Sequence, residues 1–537
     1  MANGNGGLRT AAGTPFDPKA ARAVLAILAG MALMVTYVET MVLPSFKSFY
    51  QFFDGAPYST IAWIISAYLL VGTVATPIFG KLGDKYGKKR MLLVVMSVYA
   101  LAVSLAGFSP NIGAAFGLSR PNQIYVLIAV RAVQGLGMAM FPLAFAMIPE
   151  VFPARRVGQA QGIVSAMFAG GAAFGLAGGG WIAATYGWQL TYHTVIPVAV
   201  LLVVLAALWI RESPHREPHP LDLPGVTSLG VALATLMLGI TEGSTWGWTS
   251  FTAGSLAGVP WGVPQFFLLA AASTLFFLWW EPRARFPVVS FAALKERNIW
   301  VSNVNGIIVG LAMFLTFVST TILAEDTLSP GFNLTPFQYG LVALPSALSM
   351  LAFGYPAGRV VSHLGPKPVM LVGFAVLGSG AAGLVVLHAT VLEVALFMIP
   401  LLVGNVAVLI AMSNVIVLTA KPRELGIQTG MNQTFRNLGS AVAPVLVTSI
   451  LATFTQSVVV GEGPHGPVSA AVPANVGFLM VFAITAVLSV IGFTLTLALR
   501  NFRFTETGVR TGHEAPATPV AAGAEESPAL AARPADP

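Results

Sequence analysis

Long apolar stretches separated by short polar segments run along almost the whole chain. The first extends from Val24 to Phe46 and, at about 23 residues, is long enough to cross a bilayer as a helix, which takes about 20 residues. It is too long for the core of a signal peptide, and no small-residue cleavage site ends it. Thirteen further stretches of this kind lie at 60–79, 91–108, 123–147, 160–186, 191–210, 223–240, 264–280, 299–323, 336–358, 368–387, 391–418, 426–454 and 476–499. The pattern therefore predicts an all-α polytopic membrane protein with fourteen transmembrane helices.

Basic side chains are concentrated in every second polar segment. Starting from the N-terminal arm, these alternate segments hold 24 of the 28 Lys and Arg residues, with the largest group between Lys81 and Arg90. The other segments hold Lys47 and Arg120 only. Because Lys and Arg accumulate on the cytoplasmic side of membrane proteins, the alternation supports the span count and predicts that both termini are cytoplasmic. It also explains the net charge of +7 without a nucleic-acid partner.

The composition excludes most classes of enzyme. Only 9% of the 537 residues are charged, against about 25% in soluble domains, and 56% are hydrophobic. The chain has no cysteine, which removes disulfides, thiolate metal sites and thiol catalysis. The nucleotide-binding pattern Gly-x4-Gly-Lys-Ser/Thr is absent, as are the His-Glu-x-x-His and Gly-x-Ser-x-Gly patterns of proteases and lipases. We therefore expect no enzyme activity, no metal and no cofactor.

The polar segment after the second span combines glycines, one acid and five cations. Gly80, Gly83 and Gly87 permit a tight turn between two helices. Asp84 and Arg90 stand among them, where an acid at a helix end can pair with a neighbouring arginine or helix N-terminus. The segment resembles the first signature of the major facilitator superfamily, Gly-x-Leu-x-Asp-Arg-x-Gly-Arg-Lys-Arg. That resemblance implies that these five residues take part in gating.

Two further segments resemble signatures of the same superfamily. The fourth span contains Arg131, Gln134, Gly135 and Gly137 in the order Arg-x-x-Gln-Gly-x-Gly of the second signature. An arginine inside a membrane helix is costly to bury and marks a functional site by default. The signature residues Arg131 and Gln134 are therefore candidates for proton coupling and for lining a substrate cavity.

The fifth span carries a glycine face. Gly171, Gly175 and Gly179 lie on one side of the predicted helix and allow close contact with another helix. The pattern resembles the antiporter signature Gly-x3-Gly-Pro-x-x-Gly-Gly, which implies a conformational role in proton-coupled export. Leu176 replaces the signature proline, so the glycine face remains without the proline kink. Ordinary packing of small residues is the alternative interpretation.

Taken together, the chain resembles the fourteen-span drug:proton antiporters, the multidrug efflux family of the major facilitator superfamily. The resemblance implies the major facilitator fold, with a monomeric protein in the lipid bilayer of the cell (inner) membrane and a proton as the coupling ion. The implied divisions are a cytoplasmic arm at 1–23, six-helix bundles at 24–210 and 299–499, a linker with two inserted spans at 211–298, and a tail at 500–537. The tail is rich in Ala, Pro and Glu and is expected to be disordered.

Glu39 is the one carboxylate well inside the first eight predicted spans. At ~1.5 Å of rise per residue it lies roughly 10 Å from the outer end of its span, and Arg131 lies at about 12 Å from the same side. The two side chains meet if spans 1 and 4 are neighbours, as the family fold implies. Our hypothesis is that Glu39 exchanges a proton against substrate and that Arg131 modulates its protonation. A static ion pair that holds the two spans together is the alternative.

The C-terminal half contains further polar residues within spans. Arg436 lies in the middle of span 13 with no obvious acidic partner, so it either bonds helix carbonyls or faces an anionic headgroup. Asn305 and Asn432 either line the substrate cavity with Gln134 or form hydrogen bonds between helices. Glu242, Glu325 and Asp326, at outer helix ends, are expected to be rim charges.

These features predict a secondary active transporter that works by alternating access. Its substrates would be amphipathic or cationic small molecules, exported in exchange for protons. An exporter of lipids or lipid-linked compounds would use the same scaffold and Arg436 for the headgroup. A non-transporting membrane scaffold or sensor is a third interpretation, and it does not account for the first signature.

Overall fold

The computed structural model describes residues 10, 15–213, 222–256, 259–285, 287–328, 330–419, 425–463, 466–505 and 508–511, most of them helical. The N-terminal half has ten helices: α1 Pro18–Thr40, α2 Phe46–Phe52, α3 Tyr58–Tyr86, α4 Lys88–Gly107, α5 Ser109–Ala115, α6 Gln123–Gln134, α7 Met140–Val151, α8 Ala154–Tyr186, α9 Trp188–His193 and α10 Ile196–Trp209. The linker has α11 Leu223–Trp246, α12 Val263–Trp280 and α13 Phe291–Leu294. The C-terminal half has α14 Arg297–Glu325, α15 Pro336–Leu364, α16 Pro366–Val386, α17 Val391–Thr419, α18 Leu425–Thr453 and α19 Asn475–Leu497.

The helices confirm the predicted polytopic architecture. Thirteen helical segments of the described chain are long and apolar enough to cross a membrane. The predicted fifth span coincides with the 33-residue helix α8, which brings the count to fourteen. We call the end of the bundle that holds Lys81–Arg90 the basic end. The residue bounds of the two bundles and the linker remain predictions.

Spans 1 and 4 are each interrupted by a 3₁₀ turn. Span 1 leaves α1 at Thr40 and passes through a 3₁₀ turn at Leu43–Ser45, where Pro44 cannot donate a helical hydrogen bond, before continuing as α2. Span 4 consists of α6 and α7 joined by a 3₁₀ turn at Gly135–Ala139. A Cβ on Gly135 would lie 2.2 Å from the carbonyl oxygen of Tyr68, so α3 and this turn touch through backbone.

The two halves meet along two pairs of helices. α3 packs against α18, and α8 packs against α15. The inserted helices α11 and α12 form a pair, and α11 lies against both α3 and α18. An apolar cluster joins them, in which Val226 and Phe277 of the inserted helices pack with Met431 of α18. The two inserted spans therefore cover one seam between the halves.

The turn after the second span is shorter than the sequence indicates. Gly80 and Gly83 do not form the predicted tight turn, because both lie inside α3, which continues to Tyr86. Gly83 instead allows close packing, since a Cβ there would lie 2.4 Å from the Cδ2 of Leu143. The chain reverses at Gly87, where φ is +108°, a conformation that side chains other than glycine rarely adopt. One glycine makes the turn, and the other two belong to the helix.

A carboxylate from the end of the sixth span completes this turn. The Glu212 side chain accepts hydrogen bonds from the backbone N–H groups of Lys89 and Arg90, both at 3.0 Å. These N–H groups belong to the first turn of α4, which has no helical acceptors for them. Nearby, Lys88 forms an ion pair with Glu150 at the end of α7. The first signature is thus tied to two other helices of its own half, α7 and α10.

Three antiparallel hairpins complete the described chain. They are β1–β2 at Gly254–Leu256 and Val259–Trp261, β3–β4 at Thr455–Gly463 and Gly466–Pro473, and β5–β6 at Phe502–Thr505 and Gly508–Thr511. β3 and β4 pair with each other across the long polar segment between spans 13 and 14. The predicted disordered tail begins with β5 and β6, and its residues 512–537 lie outside the described chain.

Gly87→Ala tests the conformation of the turn. Because a Cβ at +108° is strained and would lie 2.5 Å from the Glu212 carboxyl carbon, the substitution should destabilise the protein by about 1–3 kcal/mol. The measurement is the thermal unfolding midpoint of the purified protein in detergent. Gly80→Ala is the matched control, because no atom lies within 4 Å of the added Cβ and alanine favours a helix. Equal midpoints for the two variants would contradict the assignment of the turn to Gly87.

Candidate transport site

Glu39 lies at the last turn of α1, just before the bend, and its side chain is only 2% exposed. One carboxyl oxygen, Oε2, has no hydrogen-bond partner in the part of the chain that the structure describes. A buried carboxylate without a donor is energetically costly unless it binds a proton or interacts with a cation. Glu39 is therefore in a setting where binding a proton or a cation lowers its free energy.

Arg131 is fully buried and is held by its own half of the protein. Its Nε donates to the carbonyl oxygen of Ile64 at 3.0 Å and its Nη1 to the side-chain oxygen of Gln134 at 2.9 Å. The guanidinium also stacks over the ring of Tyr68 at 4.4 Å. Its charge attracts Glu39, but the two side chains form no ion pair within 4.0 Å. The static ion pair considered as an alternative is not formed in this structure.

Arg436 of α18 is the second cation whose charge attracts Glu39. Its guanidinium lies 4.4 Å above the ring of Phe168 on α8, so it reaches across from the C-terminal half to the N-terminal half. Phe168 in turn packs edge-to-face on Phe141, with ring centroids 5.8 Å apart. Sequence reasoning missed this partner because Glu39 and Arg436 lie in different halves and no local spacing relates them.

Several buried polar atoms around Arg131 have no partner. Among the described residues they are Glu39 Oε2, Arg131 Nη2 and Tyr68 Oη. Leaving such atoms unpaired costs about 1–3 kcal/mol each, so native proteins pair nearly all of them. Because these atoms lie in one region, a ligand or a proton that enters this region can form hydrogen bonds with them.

The glycine face of α8 packs directly on the segment of α1 that carries Glu39. A Cβ on Gly171 would lie 2.4 Å from the carbonyl oxygen of Leu33, and one on Gly179 would lie 2.5 Å from the Cβ of Met41. A hydrogen bond from Thr40 Oγ1 to the carbonyl of Ala172, at 3.2 Å, joins the two helices between these contacts. The predicted close helix contact is therefore present, and its partner is α1.

The two candidate asparagines bond other helices of the C-terminal half. Asn305 donates to Thr496 Oγ1 on α19 at 3.1 Å. Asn432 donates to the carbonyl oxygen of Ser302 on α14 at 3.3 Å. Both side chains are buried. The structure thus places them in the helix–helix bonding that the sequence left open as an alternative to lining a cavity.

At the end opposite the basic end, the two halves are bonded to each other. The backbone N–H of Lys47 donates to Glu325 Oε2 at 2.9 Å, and the Lys47 ammonium donates to Asn333 Oδ1 at 2.7 Å. Glu325 is only 1% exposed, so it is not the rim charge expected from the sequence. The carbonyl oxygen of Pro336 lies 2.5 Å from where Gly180 would carry a Cβ. The halves are closed on this side of Glu39.

The buried charges, the signature glycines and the paired halves agree with the family to which a comparison with known protein families assigns the chain. A family model described as Major Facilitator Superfamily matches residues 26–444 and 304–532. The chain belongs to the major facilitator superfamily. It is a multi-pass membrane transporter with the fold of that superfamily, as the signatures indicated.

Its relatives include proteins named for multidrug transport, drug resistance and export. Multidrug transporter protein MdtP of Bacillus subtilis is 24% identical over 73% of this chain and 69% of its own length. The tetracenomycin C resistance and export protein of Streptomyces glaucescens is 25% identical over 80% of this chain and 76% of its own length. Multidrug resistance protein Stp of Mycobacterium tuberculosis is 24% identical over 80% of this chain and 75% of its own length.

Solved transporters share the architecture. The xylose transporter XylE of E. coli, in a partially occluded inward-open conformation, has a TM-score of 0.58 at 11% identity and covers 89% of this chain and 98% of its own. The human organic anion transporter MFSD10 has a TM-score of 0.56 at 14% identity and covers 89% of this chain and 100% of its own. At such low identity the similarity shows the fold alone.

Gly175→Ala tests the contact that positions Glu39. The added Cβ would lie 2.1 Å from Thr40 Oγ1 and 2.5 Å from the carbonyl oxygen of Tyr37, so α1 and α8 must separate. We expect destabilisation of about 1–3 kcal/mol, which is typical of overpacking, together with loss of transport. Unfolding midpoint and efflux are the measurements. Gly162→Ala on the same helix is the control, because its Cβ meets nothing within 4 Å. A Gly175→Ala protein as stable and active as the control would contradict this contact.

Proposed function

We propose that this transporter exports amphipathic or cationic small molecules by alternating access, in exchange for protons carried by Glu39. The observation that carries the proposal is the placement of one buried carboxylate under the influence of Arg131 from its own half and Arg436 from the other half. The export function in the name of the Streptomyces glaucescens relative supports the direction of transport. We further propose a monomer in the cell (inner) membrane with both termini in the cytoplasm.

The coupling follows from the separation of the two cations between the halves. A cation near a carboxylate favours its ionised form. Arg131 moves with Glu39, because both belong to the N-terminal half, whereas the distance from Arg436 to Glu39 changes whenever the halves rock against each other. Rocking therefore changes the affinity of Glu39 for a proton. A cationic substrate beside Glu39 acts in the same sense as Arg436, so substrate and proton compete for the carboxylate.

Access to the opposite side requires the Lys47 contacts to break. In the present state Glu325 and Asn333 of the C-terminal half bind Lys47 of the N-terminal half. Opening at this end separates the partners, while closing at the basic end brings the other ends of the halves together. Rocking about the paired helices α3–α18 and α8–α15 provides this motion.

Export of lipids or lipid-linked compounds is the second candidate. An apolar groove of about 270 Å³ runs between α3 and α11 and is lined by aliphatic side chains such as Leu70, Val74 and Ile78. An acyl chain fits such a lining, and Arg436 provides a cation for an anionic headgroup. This candidate predicts flux of a labelled anionic lipid rather than of a cation.

Glu39→Gln tests the proposed coupling. Glutamine keeps the size of the side chain but cannot exchange a proton, so efflux of a fluorescent lipophilic cation should fall to the level of empty cells. The wild type should lose efflux when a protonophore is added. Glu242→Gln, near the end of α11 where the carboxylate accepts a hydrogen bond from Thr245, is the control and should transport normally.

The outcomes separate the candidates. Protonophore-sensitive efflux that persists in Glu39→Gln would place the proton site elsewhere. No efflux of any cation by well-expressed wild-type protein, combined with flux of a labelled anionic lipid, would favour the lipid exporter.

A further inference from the structure

A second pair of buried acidic residues lies at the basic end, where the inserted helices begin and end. Asp222 caps the N-terminus of α11, with the Gly225 N–H donating to Oδ1 at 3.2 Å. Glu281 follows α12 in a 3₁₀ turn. The side chains are 7% and 0% exposed, respectively. The Trp280 indole N–H also donates to Asp222 Oδ1, at 2.8 Å, which ties the start of α11 to the end of α12.

Each carboxyl group has one satisfied oxygen and one free oxygen. Glu281 Oε1 accepts a hydrogen bond from the backbone N–H of Val289, as Asp222 Oδ1 does from Gly225 and Trp280. Asp222 Oδ2 and Glu281 Oε2 have no donor among the described residues. Both free oxygens face the same point: they lie 2.3 and 2.6 Å from the position that a Cβ on Gly225 would occupy. The acceptors therefore converge in a space that only glycine leaves open.

Two ionised carboxylates cannot occupy this arrangement at low energy. Their facing oxygens are both acceptors and both negative, and they are removed from solvent. A proton on one of them turns it into a donor for the other and removes the repulsion, which is the usual solution where two carboxyl groups share a buried site.

The surrounding charges fit a single proton. Among the described residues, Lys81 of α3 is a charged group that acts on the pair from a neighbouring helix, and its ammonium donates to the carbonyl oxygen of Pro287 at 3.0 Å. One ammonium balances one of the two carboxylates, and one proton balances the other. Lys81 belongs to the first signature, so the pair is linked electrostatically to that segment.

We propose that Glu281 carries a proton that it donates to Asp222, and that the pair forms a proton-binding site of the inserted spans, separate from Glu39. The proton enters from solvent at the basic end and bridges Oδ2 and Oε2, joining the start of α11 to the end of α12. Losing it leaves two facing carboxylates, which separates the two helices where α11 lies against the seam of α3 and α18. The site makes this junction sensitive to the pH at the basic end.

The test measures the thermal midpoint of the full-length protein in detergent from mildly acidic to alkaline pH. The unfolded chain has ionised carboxylates at neutral pH, so the folded wild type binds one more proton and must lose stability as pH rises. In Glu281→Gln the amide N–H replaces the shared proton permanently. We expect this variant to fold, to exceed the wild-type midpoint at alkaline pH and to lack this part of the pH dependence. Glu242→Gln is the control and should follow the wild type.

An infrared measurement gives a second, independent readout. The wild type should show a C=O stretch of a protonated carboxyl group at neutral pH, and subtraction of the Glu281→Gln spectrum should isolate it. Recording both spectra in a Glu39→Gln background removes any contribution of Glu39, so failure of the proposed transport mechanism does not affect the result. Asp222→Asn should abolish the same band.

Two results would overturn the proposal. The first is an identical pH dependence and an identical carboxyl band in wild type and Glu281→Gln, because the pair would then hold no proton. The second is a midpoint that rises with Mn²⁺ in the wild type alone and falls with EDTA, because the ligand of the free oxygens would then be a divalent cation.

Discussion

The N-terminal half depends on satisfying one guanidinium that is removed from water. A charge inside a membrane bundle costs several kcal/mol unless the protein replaces its hydration. Arg131 finds a carbonyl of α3, a side chain one turn away and an aromatic face. The carbonyl is within reach because Gly135 lets the helix of Arg131 touch the backbone of α3. The glycines and the arginine of the signature therefore act together. The glycines allow the close approach of the two helices, and the arginine needs that approach to reach its carbonyl acceptor.

The seam between the halves concentrates the remaining polar chemistry. Arg436 crosses it to stack on Phe168, Lys47 crosses it to bind Glu325, and α11 lies along it with the carboxyl pair at its start. The first two contacts join the halves that rock against each other in the proposed mechanism, and the carboxyl pair joins the two inserted helices. Within each half, by contrast, Arg131, Asn305 and Asn432 are bonded to helices of their own bundle. Polar residues that bond within one half stabilise that half, whereas the polar contacts between the halves are those that the proposed mechanism breaks and re-forms.

The sequence predicts the helices well because the requirement to cross lipid is local. A run of apolar residues shows where a helix enters and leaves the bilayer, and α11 and α15 begin at the residues that hydropathy indicates. The glycine face of α8 is also visible in the sequence, because its spacing matches the helical repeat. Partners are a different matter. Glu39 with Arg436, and Asp222 with Glu281, are far apart along the chain, and no periodicity relates them.

Residue type alone also fails to predict the role of a position when that role depends on tertiary contacts. Gly80, Gly83 and Gly87 look equivalent in the signature, yet their surroundings differ. Gly80 faces open space, Gly83 packs against a leucine, and Gly87 reverses the chain. Glu325 and Glu242 both lie near the ends of spans, yet Glu325 is almost fully buried and accepts a hydrogen bond from the backbone of the other half. Such differences depend on tertiary contacts, which the local pattern does not record.

The bond between Lys47 and Glu325 has an implication for genetics. Its donor is the main-chain amide of Lys47, which every residue except proline possesses. Replacing the lysine side chain removes the bond to Asn333 and leaves this one intact. A conventional alanine survey would therefore record position 47 as nearly dispensable, although the polypeptide backbone there fastens one half of the transporter to the other.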